Sequence, residues 1–121
     1  MLIERIKPNE PSFGGYNFKL KAMYRENKLP ANLIDMGGNR LTQKNLSGDH
    51  AIPRSLGGKC TDNNMILATK QFNNLRGDKA LKEVVTKENL IKWVNQYLKL
   101  GKIDGFDFVK YVRDILKVLD T

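Results

Sequence analysis

The spacing of apolar residues changes several times along the chain, and each change marks an element. The stretch Phe18-Lys-Leu-Lys-Ala-Met-Tyr-Arg-Glu-Asn-Lys has room for about three helical turns before Pro30. Pro8, Pro11 and Gly14-Gly15 break the backbone ahead of it, and Gly37-Gly38 marks a turn after it. Two short strands are predicted next, one ending near His50 and one at Met65-Ile-Leu-Ala, with a loop rich in Pro and Gly between them. From Thr69 the apolar spacing lengthens. Phe72, Leu75 and then Lys79-Ala80 suit a helix capped by Thr69, with Gly77 weakening its second half.

The last third reads as two helices, about 87–100 and 105–119. Thr86 caps the first, which carries Leu90, Ile91, Val94, Tyr97 and Leu98 on one face and has Gly101 as its stop signal. Asp104 is the expected cap of the second, in which Phe108, Val109, Val112, Ile115, Leu116 and Leu119 repeat at helical spacing. Such stripes pack against the rest of a domain, or less often against a second copy. The predicted class is α+β, in one domain over residues 1–121, because a chain of this length buries one modest core and not two.

Charge adds a direction. The formal net charge is +8 and the sequence pI is near 9.7. Residues 1–45 hold eight basic side chains against four acidic ones, the excess continues through 46–82, and the remainder is close to neutral. Such a chain is drawn to a polyanion with an affinity that falls as salt rises, although charge does not say which polyanion. Cys60 has no second cysteine to pair with, which excludes an internal disulfide framework and a cysteine-rich zinc ribbon and suits a reducing compartment. The opening Met1-Leu-Ile-Glu-Arg-Ile-Lys is interrupted by charge, so it lacks the apolar run of a signal peptide, and nothing later reaches transmembrane length. The expectation is a soluble cytoplasmic protein of a bacterium or phage, with no membrane partner.

Asp49-His50 is the first candidate for chemistry, because neighbours entering a loop can aim a carboxylate and an imidazole into one site. Alone the pair is a weak signal, since an isolated histidine is more often a surface or satisfied core residue than a catalyst. The residues that follow are more specific. Asp49-His50-x-Ile52-Pro53-x-Ser55-x-Gly57-Gly58, then Asn64-x-x-Leu67, then Asn73 with a cation at Arg76, resembles the HNH, or ββα-metal (His-Me finger), nucleases. The resemblance covers about 46–82, roughly a third of the chain, and has Asn73 where the family's name has a final histidine. It implies a ββα-metal core with an N-terminal extension and two C-terminal helices.

The resemblance also implies roles. Asp49 and Asn73 offer oxygen ligands to a divalent cation, and His50 acts as general base, since a partly neutral imidazole can take a proton from water. The product ends are a 5′ phosphate and a 3′ hydroxyl. Asn64 takes the family's middle position, tying the loop to the strand, with Asn63 as the alternative if the alignment slips by one. Asn74 similarly shadows Asn73, and the spacing from His50 and to Arg76 favours Asn73. One histidine and one cysteine cannot build a zinc, nickel or copper cage, so the expected ion is Mg²⁺, with Mn²⁺ as substitute. Many relatives add a structural zinc on two Cys-x-x-Cys pairs. Here Leu33-x-x-Met36 and Thr69-x-x-Phe72 stand near those places, so no structural zinc is expected and apolar contacts replace it.

Arg54, Lys70, Arg76 and Lys79 are the candidate phosphate contacts, with Lys59 and Lys82 beside them and Arg25, Arg40 and Lys44 as a possible extension of the track. Arg76 is preferred, lying one turn beyond Asn73 on the same helix face. An ordinary solvated surface is the alternative for each. Lys110, Arg113 and Lys117, interleaved with Asp107 and Asp114, read as a solvated face, and Asp104-x-x-Asp107 reads as helix capping and not as a second carboxylate site. Cys60 is given no nucleophilic role. The implied function is hydrolysis of DNA, with double-stranded DNA as the expected partner. A non-catalytic nucleic-acid-binding module and a basic interaction protein are the rivals.

Overall fold

Leu46–His50 (β1) and Met65–Thr69 (β2) pair antiparallel in a fixed register, Leu46 opposite Thr69 and His50 opposite Met65. All five residues of β2 are buried, whereas β1 is buried only at Leu46, so β2 is the inner strand and β1 carries its polar side chains at the margin of the core. The structure is a computed structural model and describes residues 18–120. The breaks expected at Pro8, Pro11 and Gly14-Gly15 lie outside those residues.

Helix α1 (Lys19–Arg25) is two turns long and not three. It stops because Asn27 adopts the left-handed conformation (φ 60°), so that the Asn27 and Lys28 N–H groups donate back to the Tyr24 and Met23 carbonyls. An asparagine at this position closes a helix in the way a glycine does. At the other end the carboxylate of Asp62, from the loop before β2, accepts the Lys19 N–H at 3.1 Å. That bond fixes α1 against the hairpin.

Thr69 ends β2 and caps α2 (Lys70–Arg76), its hydroxyl accepting the Phe72 N–H at 3.1 Å. The expected continuation to Lys79-Ala80 does not occur. Gly77 takes φ 54°, the chain turns, and a separate short helix, α3 (Leu81–Val84), follows. Leu75 is consequently exposed, whereas Phe72 enters the core.

Helix α4 (Lys87–Leu98) has Thr86 as its cap, accepting the Asn89 N–H at 3.1 Å. Its buried residues are Trp93 and Tyr97, with Leu90 and Val94 half-buried beside them; Ile91 and Leu98 face outward. Asp104 does not cap the last helix. It sits at φ 51° in the tight turn between two-residue strands β3 (Lys102–Ile103) and β4 (Phe106–Asp107), and Asp107 caps α5 (Phe108–Leu119) by accepting the Lys110 N–H at 3.1 Å. The Asp104 carboxylate instead meets Lys28 Nζ at 2.9 Å.

The described residues thus form a mixed α+β fold of helices and two small antiparallel sheets. One apolar cluster runs from Phe18 on α1 through Ile66 and Leu67 on β2 to Trp93, Tyr97, Phe108 and Ile115. Stacked Trp93 and Tyr97, with ring centroids 4.7 Å apart, anchor α4 against α5, and the Tyr111 hydroxyl donates to the Met65 carbonyl, which joins α5 to the end of β2 opposite His50. Among the described residues no helix is long and apolar enough to cross a membrane.

Candidate active site

Successive β1 side chains leave opposite sides of the strand, which sorts the candidate residues into two groups. Ser47 and Asp49 bond to α2, whereas Gly48 and His50 face α1, where a β-carbon added at Gly48 would stand 3.2 Å from the Phe18 ring.

On the α2 side the Asn73 amide is held by two bonds, Nδ2 donating to Ser47 Oγ at 2.6 Å and to the Gly48 carbonyl at 3.2 Å. A backbone carbonyl only accepts, so this pairing fixes which end of the amide is nitrogen. The other end, Oδ1, is buried and has no hydrogen-bond partner among the described residues. One turn further along α2, Arg76 reaches the same strand. Its Nη1 donates to Asp49 Oδ2 at 2.9 Å and to the His50 carbonyl, Nη2 donates to the Ala51 carbonyl at 2.8 Å, and Nε to the Lys79 carbonyl at 2.7 Å.

Arg76 was the preferred phosphate contact on sequence grounds, and the structure corrects that. Its side chain is 1% exposed and four of its five N–H donors are engaged inside the protein, so it positions Asp49 and the end of β1 and is not presented to a ligand at the surface. Sequence spacing placed Arg76 on the right helix face, but that face turns inward. Asp49 is set between opposing influences: burial pushes its carboxyl above the ordinary range, while the charge and hydrogen bond of Arg76 pull it down.

On the α1 side, His50 opens into a groove of about 470 Å³ between α1 and the hairpin. Burial pushes its imidazole below the ordinary histidine value; Asp49 opposes this shift, and Arg54 and Arg76 add to it. On balance these influences favour the neutral ring, the form that can accept a proton. Nε2 lies 3.1 Å from Cys60 Sγ. Nothing in the sequence signalled this contact, since the two residues are brought together only by the fold of the loop between the strands.

That loop is fixed by Asn64. Its Oδ1 accepts the Ile52 N–H at 2.8 Å and its Nδ2 donates to the carbonyls of Ile52 and Lys59 at 3.2 and 2.9 Å. Asn63, the alternative, is exposed and accepts only from the Thr61 hydroxyl. Gly58 is required where the loop doubles back, because a β-carbon there would fall 1.7 Å from the Ile52 carbonyl oxygen.

Arg54 lines the groove beside His50. Lys70 and Lys79, at the start of α2 and beyond its end, are exposed and outside it. Lys21, which no sequence motif singles out, lines the groove from α1 together with Arg25.

Leu33, Met36, Thr69 and Phe72 are all buried, and what joins the two segments is a carboxylate. Asp35 is 0% exposed; one oxygen accepts the Gly37 and Asn39 N–H groups at 2.9 Å, and the other accepts the Thr69 N–H at 2.9 Å and hydroxyl at 2.7 Å. Asp35-x-Gly37-Gly38-Asn39 has the composition of a side-chain-stabilised turn, which was the one available signal for it. Among the described residues no group of three or more His, Cys, Asp and Glu side chains is gathered as a metal cage. Compared with known proteins, the chain matches no protein-family model, no curated protein and no solved structure.

Proposed function

We propose that this chain is a metal-dependent endonuclease of the HNH, ββα-metal kind, which hydrolyses DNA phosphodiester bonds. The observation that carries the reading is the buried Oδ1 of Asn73, unpartnered among the described residues, in the strip between β1 and α2 where the Asp49 carboxylate also lies. Buried polar atoms find partners, and an acceptor locked in place by two bonds to its own amide nitrogen suits a hard cation or the water bound to one. The hairpin followed directly by α2, with Asp49-His50 at the end of β1, supports the same reading.

Asp49 and Asn73 Oδ1 would hold the ion, Mg²⁺ or Mn²⁺ in its place. Bound there, it supplies stabilisation of the charge that grows on the phosphate and the leaving oxygen. For a phosphate laid across the end of β1, between the two sides of the strand, His50 would take a proton from the attacking water from the groove side; the water oxygen bonds to phosphorus, the bond to the 3′ oxygen breaks, that oxygen takes a proton from solvent water, and the ends are a 5′ phosphate and a 3′ hydroxyl. Arg76 keeps Asp49 aimed, Asn64 keeps the loop in register, and Arg54 meets the phosphate backbone, with Lys70 and Lys79 extending the track.

A plasmid-nicking assay with Mg²⁺ tests this on wild type, His50→Ala and Asn73→Ala. Loss of general-base catalysis costs about a hundredfold or more. Cutting that survives both substitutions excludes the site.

A further inference from the structure

We infer that the groove between α1 and the hairpin takes an unpaired nucleotide of the DNA strand being cut, so that the preferred substrate is single-stranded DNA or a duplex carrying an unpaired base. The position beside the scissile phosphate rests on the nuclease reading above; the identity of the occupant rests on the groove itself.

Three features of the groove favour this occupant. Its volume, about 470 Å³, lies in the range of small-ligand sites, about 300–1,000 Å³, and is too small to admit a double helix. Phe18 and Met65 form an apolar floor, and the exposed Ala22 on α1 leaves room above it. Phe18 and Met65 are 6% and 7% exposed, so the part of each that the groove reaches offers an apolar contact to a base. The absence of a side chain at Gly48 keeps that floor open, since a β-carbon would press on the Phe18 ring at 3.2 Å and touch Met65 at 3.5 Å.

The rim supplies the complementary charge. Lys21, Arg25 and Arg54 line the groove, and among the described residues no carboxylate does. Arg25 gives one donor to the Gln43 carbonyl at 2.8 Å and keeps the rest, and among the described residues neither Lys21 nor Arg54 is engaged by an acid. By contrast, a second cleft bordered by Lys19 and Lys110 carries Asp62, Asp107 and Asp114, which would repel a phosphate backbone. A base on the apolar floor, with its phosphates at the cationic rim, brings the adjoining phosphodiester to His50, which lines the same groove.

The test separates binding from cutting. With EDTA present and salt held constant, fluorescence anisotropy compares a labelled single strand with the same sequence as duplex, for wild type, Ala22→Trp and Arg54→Ala. Base stacking predicts that wild type binds the single strand about tenfold more tightly, and that Ala22→Trp, which fills the groove from an exposed helix position, removes this preference. Arg54→Ala lowers single-strand affinity without touching the fold of α1. Equal affinity of wild type for the two DNAs overturns the inference, and so does an unchanged preference in an Ala22→Trp protein whose melting temperature is native. With Mg²⁺, a duplex with one unpaired nucleotide should be cut faster than the fully paired one. If neither is cut while the binding preference holds, the nuclease reading fails and the nucleotide groove stands. If both are cut alike and Ala22→Trp changes nothing, the groove fails and the nuclease reading stands.

Discussion

Arg76 Nη1 and Asp49 Oδ2 meet at 2.9 Å with the guanidinium sealed from solvent, and the same side chain closes onto three backbone carbonyls. Arg76→Ala would leave a desolvated carboxylate and those carbonyls without partners. Breaking a buried pair from one side costs about 3–5 kcal/mol. Arg76→Lys, with a point charge in place of a fork, should recover only part of this. Urea denaturation measures both, and a midpoint for Arg76→Ala equal to wild type would remove Arg76 from its positioning role.

Asp35 ties the 33–41 segment to Thr69 at the start of α2, and the proposal that the fold holds no structural zinc gives a two-part expectation. Treatment with EDTA should leave the melting temperature unmoved, and elemental analysis should find no stoichiometric zinc. Asp35→Asn keeps the volume but turns an amide NH₂ toward backbone donors, at a cost of about 3 kcal/mol. One zinc per chain, or a melting temperature that drops in EDTA, refutes the proposal that the fold dispenses with it.

The lone histidine makes its titration readable, since tag-free protein gives a single imidazole C2 proton resonance in NMR. In EDTA its midpoint should lie below that of an ordinary histidine, and Arg54→Ala should raise it by removing a nearby positive charge. The folded value is depressed, so the stability linked to His50 is present above the unfolded value and is lost as pH falls through the folded one. Asp49 has the opposite sign: its folded value is raised, so its contribution is present below the ordinary carboxylate value and is lost as pH rises through the folded one. A histidine midpoint at or above the ordinary value contradicts the burial that sets the direction.

Cys60 Sγ lies 3.1 Å from Nε2 of His50, the proposed general base. Cys60→Ala should retain most nicking activity, whereas N-ethylmaleimide on wild type should lower it about a hundredfold or more, as loss of the base does. The alanine variant should be insensitive to the reagent. Undiminished cutting by fully alkylated wild type would mean that His50 works from its other nitrogen.

Elements governed by local chemistry were legible before any coordinates. Thr69 and Thr86 cap the helices assigned to them because a hydroxyl and the N–H three residues on are all that a cap needs. Asp104 misled because an acid ahead of an apolar stripe has the same local appearance as Asp107; only the two-residue hairpin, a pairing across the turn, decides between them. Leu75 and Arg76 exchanged their expected environments for a similar reason. Helical spacing gives faces but not which face the rest of the chain covers, and here α2 lays its arginine on β1 and leaves its leucine outside. The contents of the groove were illegible, since Phe18, Lys21, Cys60 and Met65 share no spacing and meet only when α1 docks on the hairpin.

The pairing of Leu46 with Thr69 and of His50 with Met65 has a consequence for how this chain tolerates change in length. Deleting one residue from β1 ahead of Asp49 would rotate every later side chain of the strand to the opposite side. The carboxylate would then enter the groove and the imidazole would be driven against the guanidinium. A change of even one position within the five residues that carry Asp49 and His50 therefore exchanges what each of the two side chains faces.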